Sequence, residues 1–170
     1  MKKEKRKVGK NKLMPMPEMK VTDLLVGMVT ITPNSDKHYF FADIDCVSEK
    51  VVKRRVGKLI QKFRTGHIYI MRSGKGWHLV SFSKPVDLDT YVKMLRFVKA
   101  DPQFIAWIKK VKYGVIRMSR RSSHMQVPVF NSVFMSPYCK TENELIRTMY
   151  LSLLRYEHNI DVVRRVGVVS

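Results

Sequence analysis

The eight residues YFFADIDC, Tyr39 to Cys46, decide how the chain is read. Their aromatic content, and apolar residues at both odd and even positions, predict a strand covered on both faces, which suits the centre of a sheet. Residues two apart on a strand share a face, so Asp43 and Asp45 project together. The whole chain has only 14 acidic residues against 33 basic ones. Two carboxylates that close repel each other unless positive charge stands between them. A divalent metal, Mg²⁺ or Mn²⁺, prefers hard oxygen ligands and commonly bridges them to phosphates, which makes the pair a candidate metal site. The alternative is structural: one Asp caps the following helix and the other pairs with a nearby Lys or Arg.

The flanking segments extend this strand into a fold. VSEKVVKRRVGKLIQKF reads as an amphipathic helix, with Val52, Val56, Leu59, Ile60 and Phe63 at helical spacing and basic residues on the remainder. HIYIMR and WHLVSFS are two strands joined by SGKG, a glycine-rich hairpin connection. DLDTYVKMLRFVKA starts with an acidic turn and continues as a helix, QFIAWIKKV is a short helix after Asp101-Pro102, and YGVIRMS is a further strand. TENELIRTMYLSLLRYEHNI closes the chain as a helix for which Thr141 and Glu144 offer a capping box. VTDLLVGMVTITP is too mixed to assign. The resulting order predicts an α+β fold, an antiparallel sheet carrying helices on one face in the RNA-recognition-motif or ferredoxin-like manner.

Composition narrows the partners. A formal charge of +19 over 170 residues points to a polyanion, because Lys and Arg bound to phosphates release condensed counterions. A bare basic surface, or a ribosomal or membrane-surface role, would also accommodate it. No stretch approaches the roughly 18 apolar residues of a membrane span, and MKKEKRKVGKNK lacks the apolar segment of a secretory signal. An intracellular (cytoplasmic) protein without a membrane partner is expected. Cys46 and Cys139 show no CxxC spacing, so neither a zinc cluster nor a disulfide framework is indicated. Residues 1–20 read as a basic arm and a proline-punctuated linker, and 21–170 as one domain.

Two further segments carry candidate chemistry. In RSGKGWH, Gly74 and Gly76 allow close backbone approach, and Ser73, Lys75 and His78 could cradle phosphate. A plain hairpin turn with a surface lysine is the other reading, and Trp77 and Tyr69 read as packing. In VIRMSRRSSH, Arg117 lies on a strand, followed by Arg120, Arg121, Ser122, Ser123 and His124, donors suited to phosphate oxygens or simply a basic loop.

Taken in order, the Asp-hydrophobic-Asp strand, the SGKGWH turn and the IR strand with its Ser/His loop resemble the archaeo-eukaryotic primase superfamily, over about residues 38–124. The resemblance implies a modified RNA-recognition-motif core and a primase- or polymerase-type nucleotidyltransferase of DNA replication. By that resemblance Asp43 and Asp45 ligate the metal, Ser73, His78 and His124 contact the nucleotide and Arg117 neutralises phosphate charge, with Lys75 of the glycine turn expected to help hold the triphosphate. Implied partners are single-stranded or primed DNA or RNA, nucleoside triphosphates and replication-complex subunits. The family's third acidic residue, on a later strand, has no counterpart in KKVKYGVIRMS, and its zinc-binding insertion is absent. Asp101 is the nearest acid, at a turn before a helix. The same fold kept as a nucleic-acid-binding module without turnover is therefore the alternative.

Overall fold

A computed structural model describes residues 27–32, 35–45, 47–119 and 127–166, with side chains described as far as 159. The expected basic arm and linker, Cys46, and the Arg120–His124 part of the third motif lie outside the described residues. The elements are β1 (Gly27–Val29), β2 (His38–Asp45), α1 (Glu49–Phe63), β3 (Ile68–Ser73), β4 (Gly76–Val86), α2 (Leu88–Val98), α3 (Pro102–Val111), β5 (Val115–Arg117), β6 (Val129–Phe134) and α4 (Glu144–Val166). Among the described residues no helix is long and apolar enough to cross a membrane.

The α+β class and the antiparallel sheet are as expected. Four strands pair in the order β2-β4-β3-β6, and β1 pairs with β5 as a separate ribbon. β4 lies between β2 and β3 and is antiparallel to both, so β2-α1-β3 forms a split βαβ unit around the hairpin strand. β6 then adds to the far side of β3 rather than returning beside β2.

Two expectations need correcting. β2 is an edge strand of this sheet, not a central one. Its burial on both faces comes from what packs above and below it, which says nothing about its hydrogen-bonding edge. That edge is still partly occupied. Tyr39 N–H donates to the Thr30 carbonyl at 2.8 Å, and Asp101 N–H donates to the Asp43 carbonyl at 2.8 Å.

Nor do the helices share one face. Phe40, Ala42, Ile44, Ile70 and Leu79 point to α1, α2 and α3, meeting Val56, Leu59, Tyr91 and Leu95 in one core. Tyr39, Phe41, Met71, Val80 and Phe82 point the other way, against Tyr150 and Leu154 of α4 and Ile116 of β5. The Tyr150 ring sits 5.4 Å from that of Phe82 and 6.3 Å from that of Phe41. Across the sheet, buried Tyr91 donates its hydroxyl to the Phe41 carbonyl at 2.6 Å and stacks on His38 at 5.4 Å.

Local caps explain where the helices begin. Asp87 accepts from Thr90 N–H at 2.8 Å, and Asp101 accepts from Gln103 N–H at 3.0 Å with Pro102 opening α3. For α4 the cap is Asn143, not the expected Thr141. Its Oδ1 accepts from Ile146 N–H at 3.0 Å and its Nδ2 donates to the Tyr39 hydroxyl at 2.9 Å, while its backbone N–H reaches the Phe82 carbonyl at 2.9 Å. One residue thus starts α4 and fastens it to the sheet. Asn143→Ala should cost about 1–2 kcal/mol in urea unfolding, whereas Thr141→Ala should stay within about 0.5 kcal/mol. Equal losses in the two variants would refute this assignment of the cap.

Candidate functional site

The β2–β4 ladder pairs Asp43 with His78 and Asp45 with Gly76. The β3–β4 ladder then pairs His78 with Met71 and Gly76 with Ser73. With the side-chain period of two, Asp43, Asp45, Ser73 and His78 all lie on the α4 face of the sheet. That face is divided along its length. Its far half is the aromatic cluster under α4, and its near half is the polar group at the hairpin end.

The hairpin makes the near half possible. Gly74 takes φ +58°, a left-handed turn position that favours glycine. At Gly76 a Cβ would stand 2.8 Å from the Ile44 carbonyl oxygen and 3.1 Å from Asp45 Oδ1, so a side chain there would push the acidic strand away. Arg117 comes from a distant part of the chain, held by the β1–β5 pairing of Gly27 with Arg117. Its guanidinium donates to Ser73 Oγ at 3.2 Å and to the Ser119 carbonyl. Residues from four strands therefore meet at one end of one face.

One other expected site residue is elsewhere, and one is not described. Lys75 is exposed on the turn and lines a small cavity with Glu49, Arg72 and Trp77 at the start of α1. Arg72 and Trp77 belong to the α1–α2 face of the sheet, opposite the face of Asp43. His124 lies outside the described residues. Trp77 and Tyr69 are packing residues with satisfied polar atoms: Trp77 Nε1 donates to the Val47 carbonyl at 2.9 Å, and the Tyr69 hydroxyl donates to Glu142 at 2.8 Å.

Charge at the site is poorly balanced. Burial, then Asp45, pushes the Asp43 carboxyl up to about 6, with Asp101 adding to the rise. Arg117 and the Ile44 N–H pull the other way without cancelling it. His78 is only 2 % exposed, and burial together with Arg117 pushes its pKa down to about 3. The imidazole is thus neutral at physiological pH. Its Nε2 stands 3.7 Å from Asp43 Oδ1, too far for a hydrogen bond and no ion pair. Its Nδ1 has no hydrogen-bond partner among the described residues. Asp43 therefore gains no charge from its cross-strand neighbour.

Such a carboxyl fits a cation. Two same-face carboxylates suit one Mg²⁺ or Mn²⁺ that keeps waters or takes phosphate oxygens in its other positions. They do not suffice for two ions. No group of three or more His, Cys, Asp or Glu positioned to hold a metal occurs among the described residues. Asp101, at the turn before α3, is brought beside Asp43 through its backbone, while its carboxylate caps α3. Only the Asp-Pro helix start hinted at this. No family model, curated protein or solved structure matches the chain.

The raised Asp43 pKa has a definite sign in stability. Between pH 3.8 and about 6 the folded chain keeps a proton that the unfolded chain has lost. Stability contributed by Asp43 therefore falls as pH rises through this window. Fully felt, the shift would amount to ~3 kcal/mol, and with 39 % of the side chain in solvent, screening leaves about 1–2 kcal/mol. His78, with its lowered pKa, works oppositely: stability is lost as pH falls from 6.5 towards about 3. Comparison with Asp43→Asn, which retains His78, isolates the carboxyl. In metal-free buffer, wild type should lose about 1–2 kcal/mol relative to Asp43→Asn between pH 4 and 6.5. Parallel stability curves would show that Asp43 is not strained.

Proposed function

We propose that the chain is a nucleic-acid-binding, primase- or polymerase-like nucleotidyltransferase domain that takes a nucleoside triphosphate and a divalent metal at the Asp43 end of the sheet. The finer fold we propose is a primase-like variant of the RNA-recognition-motif arrangement, supported by the β2-α1-β3-β4-α2 order. One observation carries the functional reading: Asp43, Asp45, Ser73, His78 and Arg117, from four strands, converge on one end of one sheet face. Structural needs alone do not require two acids beside a buried neutral histidine there.

Asp43 and Asp45 would hold Mg²⁺ or Mn²⁺, which supplies charge neutralisation at the phosphates and activation of the attacking hydroxyl. Arg117, already turned towards Ser73, offers a fork for phosphate oxygens, and the Ser73 hydroxyl fixes that fork in place. Buried His78 backs Asp43 as a neutral wall, adding no charge that would compete for the carboxylate. The basic surface would hold template or primer by counterion release.

A specific observation favours a second reading. With no third acid joining the pair among the described residues, a nucleotide- and nucleic-acid-binding module without turnover fits equally well. Incorporation of labelled nucleotide on a primed template separates the two, and binding tests what they share. Mn²⁺ should raise the melting temperature of wild type by mass action, further with triphosphate present, and leave Asp43→Asn/Asp45→Asn unaffected. Arg117→Ala should weaken metal-dependent triphosphate binding roughly tenfold to a hundredfold, the worth of a charge-assisted hydrogen bond. A wild type indifferent to both metal and triphosphate would end both readings of the site.

A further inference from the structure

The opposite side of the sheet carries a second feature that the Asp43 site does not use. α1 and α2 lie together there, and a cleft of about 420 Å³ opens between them, lined by Lys62, Phe63, Lys93, Arg96 and Phe97. Three cations and two aromatic rings form it, and no acid does. The Phe63 and Phe97 rings meet edge to face at 5.7 Å, and Lys62 Nζ lies 4.8 Å from the Phe97 centroid. Lys62, Lys93 and Arg96 are exposed, while both rings are half-buried against the core.

The surroundings intensify the charge. From Lys50 to Phe63 there are six basic residues and no acidic one, and from Thr90 to Val98 two basic and none acidic. Glu49 is taken up by Lys53 at 2.6 Å, and Arg55 by the Val98 carbonyl at 3.1 Å. Phosphate is the natural counterpart of such a field. A bare polyanion would need only the cations. Rings flanked by cations match instead the pairing of stacking platform and backbone contacts by which proteins hold single strands. In the uncomplexed chain Lys62 covers the Phe97 ring through a cation–π contact, which an arriving base would replace. The cleft lies at the carboxyl end of α1, where helix carbonyls repel anions. Phosphate binding there must therefore come from side chains.

We propose that the α1–α2 cleft is a single-stranded nucleic-acid contact, with Phe97 stacking on a base and Lys62, Lys93 and Arg96 holding the adjoining phosphates. It rests on the nucleic-acid part of the function proposed above, yet it uses the opposite face of the sheet from Asp43. A strand held in the cleft leaves the metal and triphosphate positions open.

Fluorescence anisotropy of a labelled 20-residue oligo(dT), in chelator and across a salt series, tests it. Replacing Lys62, Lys93 and Arg96 together with Gln should weaken binding at least tenfold at low salt. It should also lower the salt slope by about 2, since each single-strand phosphate contact contributes roughly 0.7. Phe97→Leu should weaken oligo(dT) binding about tenfold, keep the salt slope, and leave heparin affinity unchanged. Should Phe97→Leu lower the melting temperature, Phe97→Trp carries the test, its added indole emission being quenched by oligo(dT). Unchanged oligo(dT) affinity in the cleft variants would overturn the proposal, even where Mn²⁺ and triphosphate still bind at Asp43. Equal losses for heparin and oligo(dT) in Phe97→Leu, or unquenched emission in Phe97→Trp, would overturn the stacking role.

Discussion

Everything at the polar end of the molecule depends on the register of β2 against β4. With Asp43 opposite His78 and Asp45 opposite Gly76, both acids fall on the α4 face and Ile44 falls into the opposite core. A slip of one residue would bury both carboxylates under α1 and α2 and expose Ile44, at a cost the fold could not bear. The register is fixed from the apolar side. Phe40, Ala42 and Ile44 have to meet the helices, while Phe41 has to meet Phe82 and Tyr150. Hydrophobic packing thus sets the position of the acids without either acid contributing to it.

The acids, once set there, are under electrostatic tension within a strongly basic chain. A net charge of +19 would ordinarily hold carboxylates ionised, yet Asp43 is driven towards its neutral form by burial and by Asp45. Local desolvation outweighs the distant positive field, because exposed charges are screened within about 8–10 Å at physiological salt. Arg117 is the near cation, and its guanidinium is turned to Ser73 and the Ser119 carbonyl. The opposite face of the sheet shows the reverse imbalance, with cations gathered between α1 and α2 and no acid among them. The sheet thus separates a side that carries two neighbouring acids from a side on which cations gather.

Much of this was legible in the sequence where periodicity is strong. The β2 strand, the α1 pattern, the SGKG hairpin and the acidic start of α2 follow from spacing two and spacing 3.6. The same parity puts Asp43 and Asp45 on one face, whereas Ser73 and His78 join them only through the β2–β4 register. β6 was not legible, because VFNSVF lies on an edge with most of its residues open to solvent and so shows no alternation. The edge position of β2 was hidden for the converse reason, its two covered faces imitating a central strand. At the α4 start the Asn143 cap bond to Ile146 is local, but what favours Asn143 over Thr141 is its bonds to Tyr39 and Phe82, far away in sequence. Burial of His78 likewise depends on what packs over the α4 face of the sheet, which no local pattern encodes.

Burial and Asp45 hold the Asp43 carboxyl above the ordinary carboxylate range, and the metal proposed for this end of the sheet would reverse that shift. Carbon-13 NMR of the aspartate carboxyls measures this directly, following Asp43 through a pH titration with and without Mg²⁺ and a nucleoside triphosphate. Without metal the Asp43 resonance should titrate near 6, and with both ligands it should remain ionised at pH 5. Titration at the ordinary carboxylate value, unchanged by the added metal and triphosphate, would show that Asp43 is neither shifted by its surroundings nor a metal ligand.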